Sequence, residues 1–267
     1  MTSQKIEKLQ EYLDTLKSGV VALSGGVDSS VLAVLASKTA GFKLAAVTVI
    51  SPAHPASETE VANELCRVYQ IPHTFLKLNQ LENEFVRRND SKRCYYCKKL
   101  IYTAILEQAE NLGLEHVLDG SNMDDLQTND RPGFEAVSEL DIKTPLIKSR
   151  LTKTEIRQIA LDLKLPMWDS PATACYFTRI PVGEPLTMNR ITRIAQAEQF
   201  IRTLGISSLR VRDHGRIARI EVDPETIELV ASPAFRDKVV TYLKSLGYRF
   251  VCLDLAGYKM GSMNLKG

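Results

Sequence analysis

Leu23-Ser24-Gly25-Gly26-Val27-Asp28-Ser29-Ser30 follows the apolar run Val20 to Leu23 and leads into Ser30 to Ala40, where apolar residues recur at helical spacing. The pattern predicts a buried strand, a glycine-rich turn and a helix. Two adjacent glycines let the backbone approach a ligand closely. Ser24, Ser29 and Ser30 add hydroxyls beside the free N–H groups of a helix start, where an anion is favoured. Phosphate is the fitting guest. The lysine of GxxxxGK[ST] is absent, so this is not a Walker-type loop, and Asp28 stands where that loop would offer positive charge. An acidic residue there suits a metal-bridged pyrophosphate. The plain structural alternative is a Gly-Gly turn with Asp28 or Ser29 capping the helix.

Outward from this loop, strands and helices alternate. Ile6, Leu9, Leu13 and Leu16 share one helical face ahead of the first strand. Leu44 to Ile50, His73 to Leu78 and His116 to Asp119 read as further strands. Glu58 to Tyr69, about Cys97 to Leu112, and Thr152 to Leu163 read as helices. This rhythm implies an α/β fold with a doubly wound parallel sheet and its ligand at the carboxyl ends of the strands. The loops after the strands are rich in polar residues. Asp119-Gly120-Ser121-Asn122-Met123-Asp124-Asp125 runs on through Asn129 to Gly133, and Asp124, Asp125 and Asp130 suit Mg²⁺ held against phosphates. Solvated loop aspartates are the plainer reading.

A Pro- and Gly-containing segment, Met167 to Gly183, marks a connection, and the rhythm changes beyond it. Residues 1–180 are expected to form the sheet domain and residues 181–267 a small α+β domain. Thr187 to Leu204 reads as a long helix, Leu209 to Val222 as a hairpin about Asp213-His214-Gly215, Phe235 to Leu246 as a helix and Arg249 to Asp254 as a strand. Period two sends Arg210 and Arg212 to the outer face of the hairpin, with Arg219 and Glu221 across the ladder.

A net charge of +2 over 267 residues gives no electrostatic warrant for nucleic-acid binding. The N-terminal residues lack the apolar core of a secretory signal, and no run reaches the ~18 apolar residues of a membrane span. A cytoplasmic, reducing setting is expected. Five cysteines there are reactive or ligating more often than disulfide-bonded. Cys66 and Cys252 fall on a helix and a strand and read as small core residues. Cys94 and Cys97 form a CxxC at a helix mouth, flanked by Arg93 and Lys98, and Cys175 sits in a loop on the same expected face. Three such thiolates suit a [4Fe–4S] cluster with one open iron, a persulfide relay or an open zinc site. Three unrelated thiols are the plain alternative.

SGGVDSS resembles the PP-loop of the ATP pyrophosphatases, the adenine nucleotide alpha hydrolase-like fold that serves GMP and NAD synthetases and tRNA-thiolating enzymes. The resemblance implies ATP cleavage between the α and β phosphates, with the phosphates on Ser24, Gly25, Gly26, Asp28, Ser29 and Ser30. Taken with Asn129 to Gly133, Cys175 to Gly183, Arg210-Val211-Arg212 and Ala218-Arg219-Ile220-Glu221, the whole chain resembles the LarE family of ATP-dependent sulfur transferases. Members adenylate the carboxylates of pyridinium-3,5-biscarboxylic acid mononucleotide and convert them to thiocarboxylates on the way to the nickel-pincer nucleotide cofactor. The best-known members sacrifice the sulfur of one cysteine, which Cys175 matches. The added Cys94 and Cys97 resemble the three-cysteine branch, which implies a [4Fe–4S] cluster. Ile180-Pro181-Val182-Gly183 departs from the family by lacking a tyrosine between Pro and Gly.

The same resemblance implies that Lys98 lies near the adenylating centre and that Arg210 and Arg212 hold the substrate phosphate. It places Glu198, Glu221 and Glu228 near a metal, with ion pairing to arginine as the plainer role. A homo-oligomer, a small nucleotide substrate and an external sulfur donor are implied as partners, with no nucleic acid and no membrane. A tRNA-thiolating enzyme and a non-enzymatic ATP- or cluster-binding sensor are the competing readings.

Overall fold

The computed structural model describes residues 2–127, 131–170 and 175–259. The chain begins with α1 (Thr2–Leu16), β1 (Ser18–Ala22), α2 (Val27–Ser37), β2 (Lys43–Ile50), α3 (Ala56–Tyr69) and β3 (His73–Lys77). Then come α4 (Glu84–Arg87), α5 (Arg93–Asn111), β4 (Val117–Leu118), α6 (Arg131–Glu139), α7 (Pro145–Lys148) and α8 (Lys153–Asp162). The remainder forms α9 (Met188–Thr203), β5 (Leu209–His214), β6 (Ile217–Val222), α10 (Ile227–Ala231), α11 (Pro233–Ser245) and β7 (Phe250–Leu253). Two compact units result. One holds Met1–Ser51, Pro55–Asn79 and Cys94–Ala172, and the other holds Pro52–His54, Gln80–Arg93 and Thr173–Gly267.

In the first unit β1 explains the architecture. Successive side chains of a strand point to opposite faces, so Val21 packs with Leu9, Leu13, Val31 and Ile156, while Val20 packs with Tyr102, Ile105 and Val117. Both faces of the strand are therefore covered by helices, which is why Val20 to Ala22 is a continuous apolar run rather than an alternating one. The sheet is parallel with strand order β3-β2-β1-β4. The chain steps outward from β1 through β2 to β3, then returns to the other side as β4. This reversal opens a crevice at the carboxyl ends of β1 and β4, the place where doubly wound sheets take their ligands. The expected α/β sheet is thus present. The fourth strand is shorter than its apolar run suggested, and α5 starts at Arg93, so Cys94 and Cys97 lie within its first five residues. The polar stretch after β4 includes a short 3₁₀ turn at Asp124–Gln127 and then α6. Asn129, Asp130 and Pro171 to Ala174 lie outside the described residues.

In the second unit β5 and β6 pair antiparallel, Leu209 with Val222 and Val211 with Ile220, and β7 adds parallel to β6. The faces bearing Leu209, Val211, Ile220 and Val222 pack with Ala197 and Ile201 of α9 and Val239 and Leu243 of α11. Arg210 and Arg212 do point to the opposite face, opposite Glu221 and Arg219 in register. That face is not solvent-exposed at them, however. Both are buried, at 5% and 4% exposure, because Arg212 is enclosed by Glu221 and the Thr178 carbonyl and Arg210 by the Tyr258 ring. Cys252 is also corrected. It is exposed, since β7 is an edge strand whose partly buried positions are Val251 and Leu253, whereas Cys66 is buried in the core. Among the described residues no helix is long and apolar enough to cross a membrane.

Candidate active site

Gly25 lies in the left-handed region, at φ +83, and a Cβ added there would stand 2.2 Å from the Glu58 carbonyl oxygen at the start of α3. Only glycine allows that approach. Gly26 then caps α2, and having no side chain it cannot itself cover the N–H groups of the first turn. The serines tie the loop to itself. The Ser24 N–H donates to Ser29 Oγ at 3.2 Å, the two hydroxyls are 3.1 Å apart, and Ser29 Oγ donates to the Gly26 carbonyl at 3.2 Å. Ser30 is fully buried and its hydroxyl has no hydrogen-bond partner among the described residues. A buried hydroxyl without a partner beside uncapped N–H groups is suited to a polyphosphate oxygen.

From the other side of the crevice, the loop after β4 presses on the same helix start. A Cβ on Gly120 would stand 2.9 Å from Ser29 N and 3.0 Å from its Cα. Asp119 fixes this approach, because its carboxylate accepts from the buried Tyr102 hydroxyl and from Ser121 N at 2.8 Å. Asn122 then donates from Nδ2 to Asp28 at 3.2 Å, while its N–H donates to Asp125 at 2.9 Å. Burial pushes the Asp125 carboxyl above its ordinary value, opposed by the Asn122 N–H and assisted by the charge of Asp28. Asp124 is exposed and accepts from the Lys153 backbone N–H.

Lys153, which sequence reading missed, forms an ion pair with Asp28. A signal for it existed. Thr152 and Glu155 make a capping box, so Lys153 is the first residue of α8. A cation at the positive end of a helix is electrostatically misplaced unless something else holds it there. The loop thus carries one charge of each sign, both side chains about a quarter to a third exposed. Such a pair can divide between a divalent cation, on Asp28, and phosphate oxygens, on Lys153.

Cys94 and Cys97 lie one turn apart on α5 in the first unit, and Cys175 lies in the second. All three are partly buried and none is in a disulfide. Their soft donor set suits iron–sulfur or zinc chemistry. Among the described residues no group of three or more His, Cys, Asp or Glu side chains stands together as a metal set. Lys98 places its Nζ 5.2 Å from the Phe134 ring centroid on α6. Its neighbours Tyr95 and Lys99 both bind Glu139 of α6 and so join the two helices.

In the second unit the arginines and glutamates form a buried network. Glu198 is fully buried, accepts from Arg179 at 2.7 Å, Arg202 at 3.0 Å and Val211 N at 3.1 Å. Burial would raise its carboxyl, but the Arg179 charge and hydrogen bond outweigh this and hold it below its ordinary value. Glu221 accepts from Arg212 at 2.7 Å and Arg219 at 2.9 Å. Burial, then the charge of Arg179, pushes the Arg210 guanidinium down. Glu228 is exposed on α10. The two buried glutamates therefore hold arginines, the plainer of the roles expected for them.

A parallel sheet with this loop at its reversal point makes the first unit a nucleotide-activating domain of the PP-loop class. Residues 15–87 match the asparagine synthase family model. The fold is similar to the structure of NMN synthetase from Francisella tularensis, with a TM-score of 0.54 and 22% identity over 64% of this chain and 76% of that one. Over 94% of the chain and 91% of the relative, it is 34% identical to pyridinium-3,5-bisthiocarboxylic acid mononucleotide synthase of Lactiplantibacillus plantarum. An uncharacterised Synechocystis protein is 35% identical over 99% of this chain and 98% of its own. The chain belongs to the LarE family of ATP-dependent sulfur transferases.

Proposed function

We propose that the enzyme adenylates the carboxylates of pyridinium-3,5-biscarboxylic acid mononucleotide and converts each to a thiocarboxylate. A substrate carboxylate oxygen attacks the α-phosphorus of ATP and pyrophosphate leaves. A sulfur nucleophile then attacks the acyl carbonyl through a tetrahedral intermediate, the acyl C–O bond breaks, and AMP leaves with the former carboxylate oxygen. Ser24 to Ser30 hold the phosphates, and Asp28, with Asp124 and Asp125 behind it, takes Mg²⁺. Lys98 serves the adenylating centre, and Arg210 and Arg212 hold the substrate phosphate, with Arg212 kept in place by Glu221. Cys94, Cys97 and Cys175 hold the sulfur. A [4Fe–4S] cluster on these thiolates would supply an iron able to carry an extra sulfide. The observation that supports this reading best is the pairing of Asp28 with Lys153 and Asn122 at the start of α2, in a chain related along nearly its whole length to a bisthiocarboxylic acid mononucleotide synthase.

The test is pyrophosphate release and product mass with ATP and the dicarboxylate nucleotide. Release that depends on this substrate, with a mass gain for oxygen replaced by sulfur, supports the proposal. Release driven by tRNA supports the thiolating alternative, and none with either substrate supports a sensor. Iron and sulfide analysis of anaerobically purified wild type and Cys94→Ala tests the cluster. An iron-free protein that turns over once, losing the Cys175 sulfur, supports the sacrificial route. Sedimentation at low and high protein concentration tests the family's homo-oligomeric state.

A further inference from the structure

Asn89 lies in the second unit, and few residues here are as constrained. It is fully buried, and its φ of +56 is left-handed, a conformation that asparagine tolerates better than most residues. Its amide is fully used. Nδ2 donates to the Pro181 carbonyl at 2.8 Å and the Glu184 carbonyl at 2.9 Å, and Oδ1 accepts from Arg93 Nη1. Its backbone carbonyl accepts from Gly183 N at 2.8 Å, and Arg93 donates also to the Phe177 carbonyl at 3.3 Å. The chain from Phe177 to Glu184 is thereby fastened at four residues by Asn89 and Arg93.

Cys175 opens this segment. Its carbonyl accepts from Thr178 N at 3.0 Å and Thr178 Oγ1 at 2.7 Å, so it heads the 3₁₀ turn Tyr176–Arg179, whose exit is what Asn89 grips. We propose that Asn89 is a positioning residue for Cys175, fixing the turn that presents its thiol for sulfur transfer. This rests on Cys175 holding sulfur, as proposed above. The pattern has a physical logic. The Pro181 and Glu184 carbonyls need donors and the Arg93 guanidinium needs an acceptor, and a side chain with two N–H groups and an acceptor serves all three together.

The test uses the full-length protein with Asn89→Gly, which keeps the left-handed backbone and removes only the amide, and Asn89→Asp, closest in size, should the glycine variant not fold. Substrate-dependent pyrophosphate release is expected to stay within about twofold of wild type. Thiocarboxylate formation is expected to fall about 10- to 100-fold, the scale of a 1 Å misplacement. Iodoacetamide labelling of the iron-free protein, followed by peptide mass analysis, should show an altered rate at Cys175 and none at Cys66. A parallel fall in both activities, or an unchanged Cys175 labelling rate, overturns the proposal. Cys175→Ala separates the two readings. Should that variant still transfer sulfur, the role of Cys175 fails, while labelling still judges whether Asn89 positions it.

Discussion

Alanine at each of the three glycines around the nucleotide loop should produce graded effects that follow from geometry. At Gly25 the new Cβ would lie 2.2 Å from backbone oxygen of Glu58, more than 1 Å inside the 3.4 Å where ordinary contact begins, and φ is +83. Overpacking against backbone costs about 1–3 kcal/mol, and the left-handed conformation adds about 1–2 kcal/mol. A loss of about 3 kcal/mol corresponds to a melting temperature lower by about 10 °C in a chain of this size. At Gly120 the Cβ would meet Ser29 N at 2.9 Å, without adverse φ, and about half that loss is expected. At Gly26 the backbone is extended, with φ −74, and the Cβ would only touch Ser24 Oγ at 3.4 Å. Its cost should stay within about 0.5 kcal/mol. Thermal unfolding read by circular dichroism gives the series, and pyrophosphate release gives a second axis. On the proposed phosphate site, Gly26→Ala should keep its stability and lose ATP affinity, since the methyl group adds bulk at the cap position of α2. Equal melting of Gly25→Ala and wild type, or a Gly26→Ala as unstable as Gly25→Ala, would refute the geometry.

Lys153→Met removes the counter-charge of Asp28, and the KM for ATP should rise about tenfold, or ~1.4 kcal/mol, with little change in melting temperature because the pair is partly exposed. Lys153→Arg should recover part of the affinity in the same assay. Thiol labelling should separate Cys252 from Cys66. Cys252 is exposed and reacts first, whereas burial pushes the Cys66 thiol up to about 11 and leaves it scarcely ionised at pH 8. Asp213 is buried, and burial works to raise its carboxyl. The hydrogen bond from Arg193 and the charge of Arg190 outweigh that and hold it low. A depressed carboxyl contributes stability above its unfolded value and loses it as pH falls through the folded value. Asp213→Asn should therefore lower stability at pH 7 by about 3 kcal/mol and flatten the fall below pH 4, read from melting temperature against pH.

The sheet was legible because its central strands, β1 and β2, are buried on both faces. Val20 and Val21, or Ala45 and Ala46, must each satisfy a different core, so the sequence is apolar without interruption and cannot be taken for a solvated strand. The nucleotide loop was legible for a similar reason, since adjacent glycines ahead of a helix answer a local demand of the backbone. Arg210 and Arg212 were legible in direction and not in burial. Period two decides which face a side chain takes, whereas their enclosure depends on Thr178 and Tyr258, distant in the chain. Asn89 was hidden for the same reason. Each carbonyl that its amide N–H groups hold lies about ninety residues onward, and nothing near it in the sequence shows that a turn will arrive there.

The missing lysine of the loop is resolved by the same distinction. Read along the chain, Asp28 leaves a phosphate-binding turn with the wrong sign of charge. Read in space, Lys153 Nζ meets Asp28 across 125 residues, and Asn122 reaches the same carboxylate across 94. Both come from the side of the crevice opened by β4, so their presence follows from the strand order rather than from the loop. A Walker-type loop carries its cation within the turn and so has it wherever that turn forms. Here the cation arrives only when β4 and α8 are packed beside β1. The pairing of Asp28 with Lys153 is therefore tied to the folding of the whole first unit.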